Sequence, residues 1–149
     1  MSEMTQATAE ELMTTPVIAV TVDHSVAAAW EAMRERRVHH LAVMGEHGLV
    51  ALLDDRTLAA HWPAGGPEAP HSTRVGDLAA RGVRCVRPDQ TAAAVAGVMA
   101  DGHCDAVPVV TVAGVLLGLV TATDLVAAVA RGALPVAAHA GSWKHGGRG

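Results

Sequence analysis

The chain has 149 residues, a formal net charge of −4, three Trp and neither Phe nor Tyr. That length suits one domain, or two small units packed as one, and buries roughly 68–70% of the unfolded surface without staples. The acidic balance and the shortage of stacking rings exclude a nucleic-acid binder, and without a charged-then-apolar leader the default location is cytoplasmic.

A tail (1–9) precedes AEELM, which reads as a short helix, and VIAV (17–20), which reads as a strand. Ser25 stands where an N-cap belongs, ahead of VAAAWEAMRERR, whose apolar positions 26, 29, 30 and 33 share one helical face. RERR (34–37) reads as a solvated helix end whose cations complement the dipole. HLAV and LVALL follow as strands, and a helix begins near Asp55. WPAGGPEAPHST carries the Pro and Gly of a linker, set at 63–74.

The same order then recurs. VGDLAA starts a helix, VRCV (83–86) is a strand, and Thr91 caps AAAVAGVMADG, with 92, 95, 98 and 99 on one face. Gly102 is expected to end that helix in the left-handed conformation. No charge separates Asp105 from Asp124, a span approaching membrane length. Pro108, Gly114 and Gly118 interrupt it, so AVPVV and LLGLV read as two buried strands, with a last helix near Thr123. The tail from 132 to 149 is Gly- and His-rich, with LPVAAHA a possible short helix.

These two series are a tandem repeat. An offset of 66 residues matches Leu12 to Leu78, Val17 to Val83, Val20 to Val86, Asp23 to Asp89, Met33 to Met99 and Val43 to Val109 without a gap. The expected architecture is α/β (α+β): two β-α-β-β-α units at 10–62 and 75–131, related by a pseudo-two-fold, with sheets packed together and helices outside.

With ELMTTPVIAV opening the first unit, an Asp-led helix ending in Met in both, and Gly118, Thr121 and Asp124 set as G-x-x-T-x-x-D, the chain resembles the cystathionine-β-synthase (CBS) domain pair, or Bateman module. The resemblance spans about residues 10 to 131 and implies clefts between the units for AMP, ADP, ATP or S-adenosylmethionine. It further implies that Asp124 takes ribose hydroxyls, that Thr121 and Thr123 reach ribose or phosphate, and that backbone around Val83, Arg84, Val107 and Pro108 holds adenine. The chemistry is apt, because a carboxylate accepts two hydrogen bonds from a diol and a helix start suits phosphate. Ordinary helix capping by the same Thr and Asp is the competing account.

In the first unit one loop deletion sets Ala51 against Gly118, Asp54 against Thr121 and Thr57 against Asp124. A second, degenerate site of Thr14, Val17, His40, Asp54 and Thr57 is therefore expected, with the ribose carboxylate missing and Asp54 repelling phosphate. Asp54 and Asp55 are then helix caps.

Other features carry less. His39 and His40 are adjacent on a strand and point to opposite faces, so despite nine His no metal is expected, and one of the two is expected at the surface or facing a phosphate. Cys85 and Cys104 lack CxxC spacing and read as buried apolar residues. Of Arg81, Arg84 and Arg87, one is expected to reach a ligand. No nucleophilic triad can be assembled, so no enzyme is expected. The expectation is a regulatory module sensing an adenosine-containing ligand at one cleft, homodimeric through Trp30, Met33 and Leu58, and acting on an unidentified regulated protein. Its rivals are a ligand-independent dimerisation scaffold and a metal- or redox-responsive sensor.

Overall fold

The structure, a computed structural model, describes residues 6–78 and 83–132. Arg81 and the LPVAAHA segment lie outside the described residues.

The first series comprises α1 (Ala9–Leu12), β1 (Ala19–Thr21), α2 (Val26–Arg36), β2 (His40–Gly45), β3 (Gly48–Asp54) and α3 (Asp55–Ala60). The second comprises α5 (Val75–Leu78), α6 (Ala92–Gly102), β4 (Ala106–Val110), β5 (Leu116–Thr121) and α7 (Ala122–Ala130), and α4 (Ala69–Ser72) lies between them. Strand β1 pairs parallel to β2, which pairs antiparallel to β3, while β4 and β5 form an antiparallel pair.

The repeat is visible in fine detail. Ser25 caps α2 through the Ala28 N–H, and Thr91 caps α6 through the Ala94 N–H. The ladder irregularity between Val43 and Met44 recurs between Val109 and Val110. Beyond that hairpin the offset becomes 67, because Val43 faces Ala51 whereas Val109 faces Gly118. The deletion inferred from sequence thus falls in the turn after β2.

Three local expectations are corrected. Gly102 remains helical, and the left-handed residue is His103, at φ 52°, the repeat-mate of Arg37 at φ 56°. A Cβ at 102 would lie 2.6 Å from Arg84 Cδ, so the Gly leaves room for that side chain. Second, VRCV forms no strand among the described residues: it makes one parallel bridge, Val86 to Val109. Third, Cys85 is exposed and Cys104 intermediate, so neither is a fully buried filler. The stretch read as an aperiodic linker contains α4, which buries Pro70.

Two apolar cores hold the elements. Leu41, Leu53, Leu58, Val26 and Met33 belong to one, and Val95, Met99, Val107, Val109 and Val120 to the other. Each unit's leading helix packs in the other unit's core. Ala9 and Leu12 of α1 are buried with Val95 and Met99, while Val75 of α5 is buried with Val20 and Val26. The backbone repeats this exchange. Ala9 N–H donates to Gln90 C=O (2.8 Å) and Ala92 N–H to Ala7 C=O (2.8 Å). In mirrored fashion, Val75 N–H donates to His24 C=O (2.8 Å) and Val26 N–H to Thr73 C=O (2.9 Å). Residues 14–18 therefore run between a helix seated in one core and a strand of the other.

Candidate functional site

Beside that connecting segment lies a cavity of about 430 Å³, within the range typical of small-molecule pockets. Its apolar wall comes from Pro16, Val17, Ile18, Val38 and Leu119. Thr14, Thr121, Ala122 and Thr123 form a second side. The start of β2 and the β3–α3 junction supply a third, with His39, His40, Asp54, Asp55 and Arg56, joined by Asp105 from just before β4.

The Thr side is organised by the start of α7. Thr121 and Asp124 form a capping box: the Thr121 hydroxyl accepts from the Asp124 N–H (3.2 Å) and the Asp124 carboxylate accepts from the Thr121 N–H (2.8 Å). Asp124 also accepts from the Thr14 hydroxyl, at 3.3 and 3.4 Å. These last bonds are long, so a ligand hydroxyl can displace them cheaply. Thr14 is pinned in turn by backbone bonds with Leu119, its N–H donating at 2.8 Å and its C=O accepting at 3.1 Å. Gly118 permits this approach of the N-terminal segment, since a Cβ there would meet Met13 Sδ at 2.5 Å.

The ionic side is more crowded. Asp54 is the N-cap of α3 and accepts from the Thr57 N–H at 2.7 Å, matching Thr121 and Asp124 position for position. Burial alone would raise the Asp54 pKa. The Thr57 hydrogen bonds, with Arg56 and His40 nearby, outweigh it and hold the carboxyl below its ordinary 3.8. Arg56 Nη2 lies 2.9 Å from Asp105 and 3.8 Å from Asp54, so Asp54 is partly neutralised rather than a bare repelling charge. His39 Nδ1 is 2.9 Å from Asp55 and largely exposed. His40 Nε2 is buried without a hydrogen-bond partner, 3.6 Å from Asp105. Donor atoms of His40, Asp54 and Asp105 lie within 4.8 Å of one another, with Arg56 spanning the two carboxylates.

The residues singled out in the sequence are regrouped. Thr14, Val17, His40 and Asp54, assigned to a degenerate site, share one cavity with Thr121 and Thr123. Asp124 joins them through Thr14, while Thr57 contributes its N–H to Asp54. Val107 and Pro108 are buried in β4, Val83 is partly buried, Arg84 is exposed beside Gly102, and none of the four lines this cavity. Arg87 is engaged elsewhere, its guanidinium donating to the Val110 and Thr111 carbonyls at 3.1 Å. Arg56 and Asp105 line the cavity with no expectation attached to them, and Asp55, expected only as a helix cap, lines it as well. The offset of 66 carried a signal for Asp105, because it is the repeat-mate of His39. For the redox account, partial burial pushes the Cys85 thiol above its ordinary value against the opposing pull of Arg87, so it is no activated thiolate.

The geometry is thus an inter-unit cleft built on two helix starts. The profile of the CBS domain matches residues 9–62 and again 75–131, and the chain belongs to that family as a tandem pair. It is similar to the CBS domain pair of protein MJ0100 in complex with 5′-methylthioadenosine and S-adenosyl-L-methionine, at 20% identity and TM-score 0.73, over 85% of this chain and 98% of that one. It is similar also to CBSX2 in complex with AMP, at 24% identity and TM-score 0.70, over 84% and 97%. The cytosolic domain of the Mg2+ channel MgtE in complex with ATP matches at 28% identity and TM-score 0.68, over 81% of this chain and 48% of that one. No curated protein matches the sequence. Among the described residues, no helix is long and apolar enough to cross a membrane.

Proposed function

We propose that the chain is a regulatory module that binds one adenosine-containing ligand, of the AMP, ADP, ATP or S-adenosylmethionine class, in this cleft. The observation that carries it is the union of Thr14, Thr121 and Asp124 at the edge of a 430 Å³ cavity walled by both units. Adenine fits against the apolar wall of Val17, Ile18 and Leu119, and the ribose diol exchanges for the Thr14 hydroxyl on Asp124. The adenosine compounds bound by the similar solved structures support this choice. The role is regulatory rather than catalytic, with no cofactor.

A thermal-shift panel of AMP, ADP, ATP and S-adenosylmethionine tests it. A ligand at one hundred times its Kd stabilises by about 2.7 kcal/mol. Asp124→Ala is expected to remove most of that gain, and calorimetry to return one ligand per chain. A flat panel at millimolar concentrations would favour the ligand-independent scaffold. We further propose that the module self-associates as a homodimer and acts on a separate regulated protein.

A further inference from the structure

We propose that the ionic end of the cleft selects an adenosine carrying a zwitterionic amino-acid tail, the class of S-adenosylmethionine, over one carrying a polyphosphate. This rests on the adenosine assignment above and names the ligand class within it. A polyphosphate brings several negative charges, and here carboxylates outnumber the permanent cations. Arg56 holds Asp105 at 2.9 Å and flanks Asp54 at 3.8 Å, and His39 sits 2.9 Å from Asp55. Three carboxylates face one permanently charged guanidinium, so every added phosphate charge enters an anionic environment.

A zwitterionic tail meets this end in both of its parts. Its ammonium accepts the place between the Asp54 and Asp105 carboxylates, now spanned by Arg56, whose exposed side chain is free to swing out. The tail's carboxylate takes a donor from Arg56 and from His40 Nε2, a buried nitrogen with no hydrogen-bond partner. Leaving such a group unpaired is unfavourable, and a ligand that satisfies it is preferred for that reason. These atoms of His40, Asp54 and Asp105 fall within 4.8 Å of one another, close enough for one small charged headgroup to touch all three. A sulfonium adds a second positive charge on the correct side of the balance.

Calorimetry of the unmodified protein with S-adenosylmethionine, S-adenosylhomocysteine, 5′-methylthioadenosine and ATP decides it. The methionine compound is expected to bind about tenfold or more tightly than ATP and than the tailless thioadenosine, the size of one charge-assisted hydrogen bond. S-adenosylhomocysteine is expected to fall between. Asp54→Asn keeps the helix cap while removing the charge; it is expected to weaken S-adenosylmethionine by about tenfold and to strengthen ATP. Asp105→Asn, which disturbs no cap, repeats the test should Asp54→Asn alter the melting temperature. ATP binding as tightly as S-adenosylmethionine, or unchanged affinities in both variants, would overturn the proposal. Binding of none of the four would instead remove the adenosine assignment itself.

Discussion

Asp54 performs at one helix start the work that Thr121 performs at the other, with a charge added. As the N-cap of α3 it accepts the Thr57 N–H at 2.7 Å, and its depressed pKa records how firmly that ionised acceptor is held. Because the folded value lies below the unfolded one, the stabilisation is complete only well above 3.8. It is lost as the pH falls through 3.8 toward the lower folded value. Asp54→Ala is expected to cost about 1 kcal/mol at pH 7, and Asp54→Asn only a few tenths, since amides cap nearly as well. Melting temperatures measured between pH 3 and 7 should show a shallower acid decline in both variants than in the parent. An unchanged decline would assign the acid sensitivity to other carboxylates. The exchange of Asp and Thr between the two starts was legible in ALLDDRT and GLVTATD. Its compensation by Arg56 and His40 was not, because His40 reaches Asp54 only through the β2–β3 register, and Arg56 is also held by Asp105 of the other unit.

At the level of elements, local chemistry spoke clearly where it acted within a few residues. Ser25 and Thr91 cap the helices the periodicity implied, and the strands alternate or run apolar as their burial requires. Where partners are distant the sequence was mute. VRCV has strand composition but finds only one bridge beside β4, and the length of β1 is set by its parallel pairing with β2. The dimer surface first assigned to Trp30, Met33 and Leu58 is corrected in the same way. Met33 and Leu58 are 4% and 0% exposed, core residues of the first unit, and Trp30 packs edge-on against Trp62 at 5.8 Å. Among the described residues, α7 carries one exposed apolar pair, Val126 at 68% and Val129 at 38%, one helical turn apart. A homodimer built on α7 predicts sedimentation as a dimer at tens of micromolar for the parent. Val126→Glu should give a monomer with its melting profile at low concentration little changed. A monomeric parent would remove this interface.

At the scale of the molecule, the exchanged helices make the two halves mutually dependent. Sequence similarity at an offset of 66 announced two units, but similarity cannot say that α1 seats with Val95 and Met99 rather than beside its own strand. Neither apolar cluster is complete without a helix from the other half, so thermal unfolding is expected to be a single transition by calorimetry, with equal van't Hoff and calorimetric enthalpies. Two resolved transitions would show that the halves are separable. Fragments 6–62 and 63–132 should each be poorly folded alone and regain native circular dichroism when mixed.

The segment from Thr14 to Ile18 inherits a mechanical role from this arrangement. Its upstream end is anchored on β5 through Leu119 and its downstream end continues into β1, so it is the strap between the halves as well as a wall of the cleft. A molecule seated against it would touch that strap directly. If the proposed ligand seats there, it bears on a connection that the two halves share, so any strain it imposes is felt by both of them.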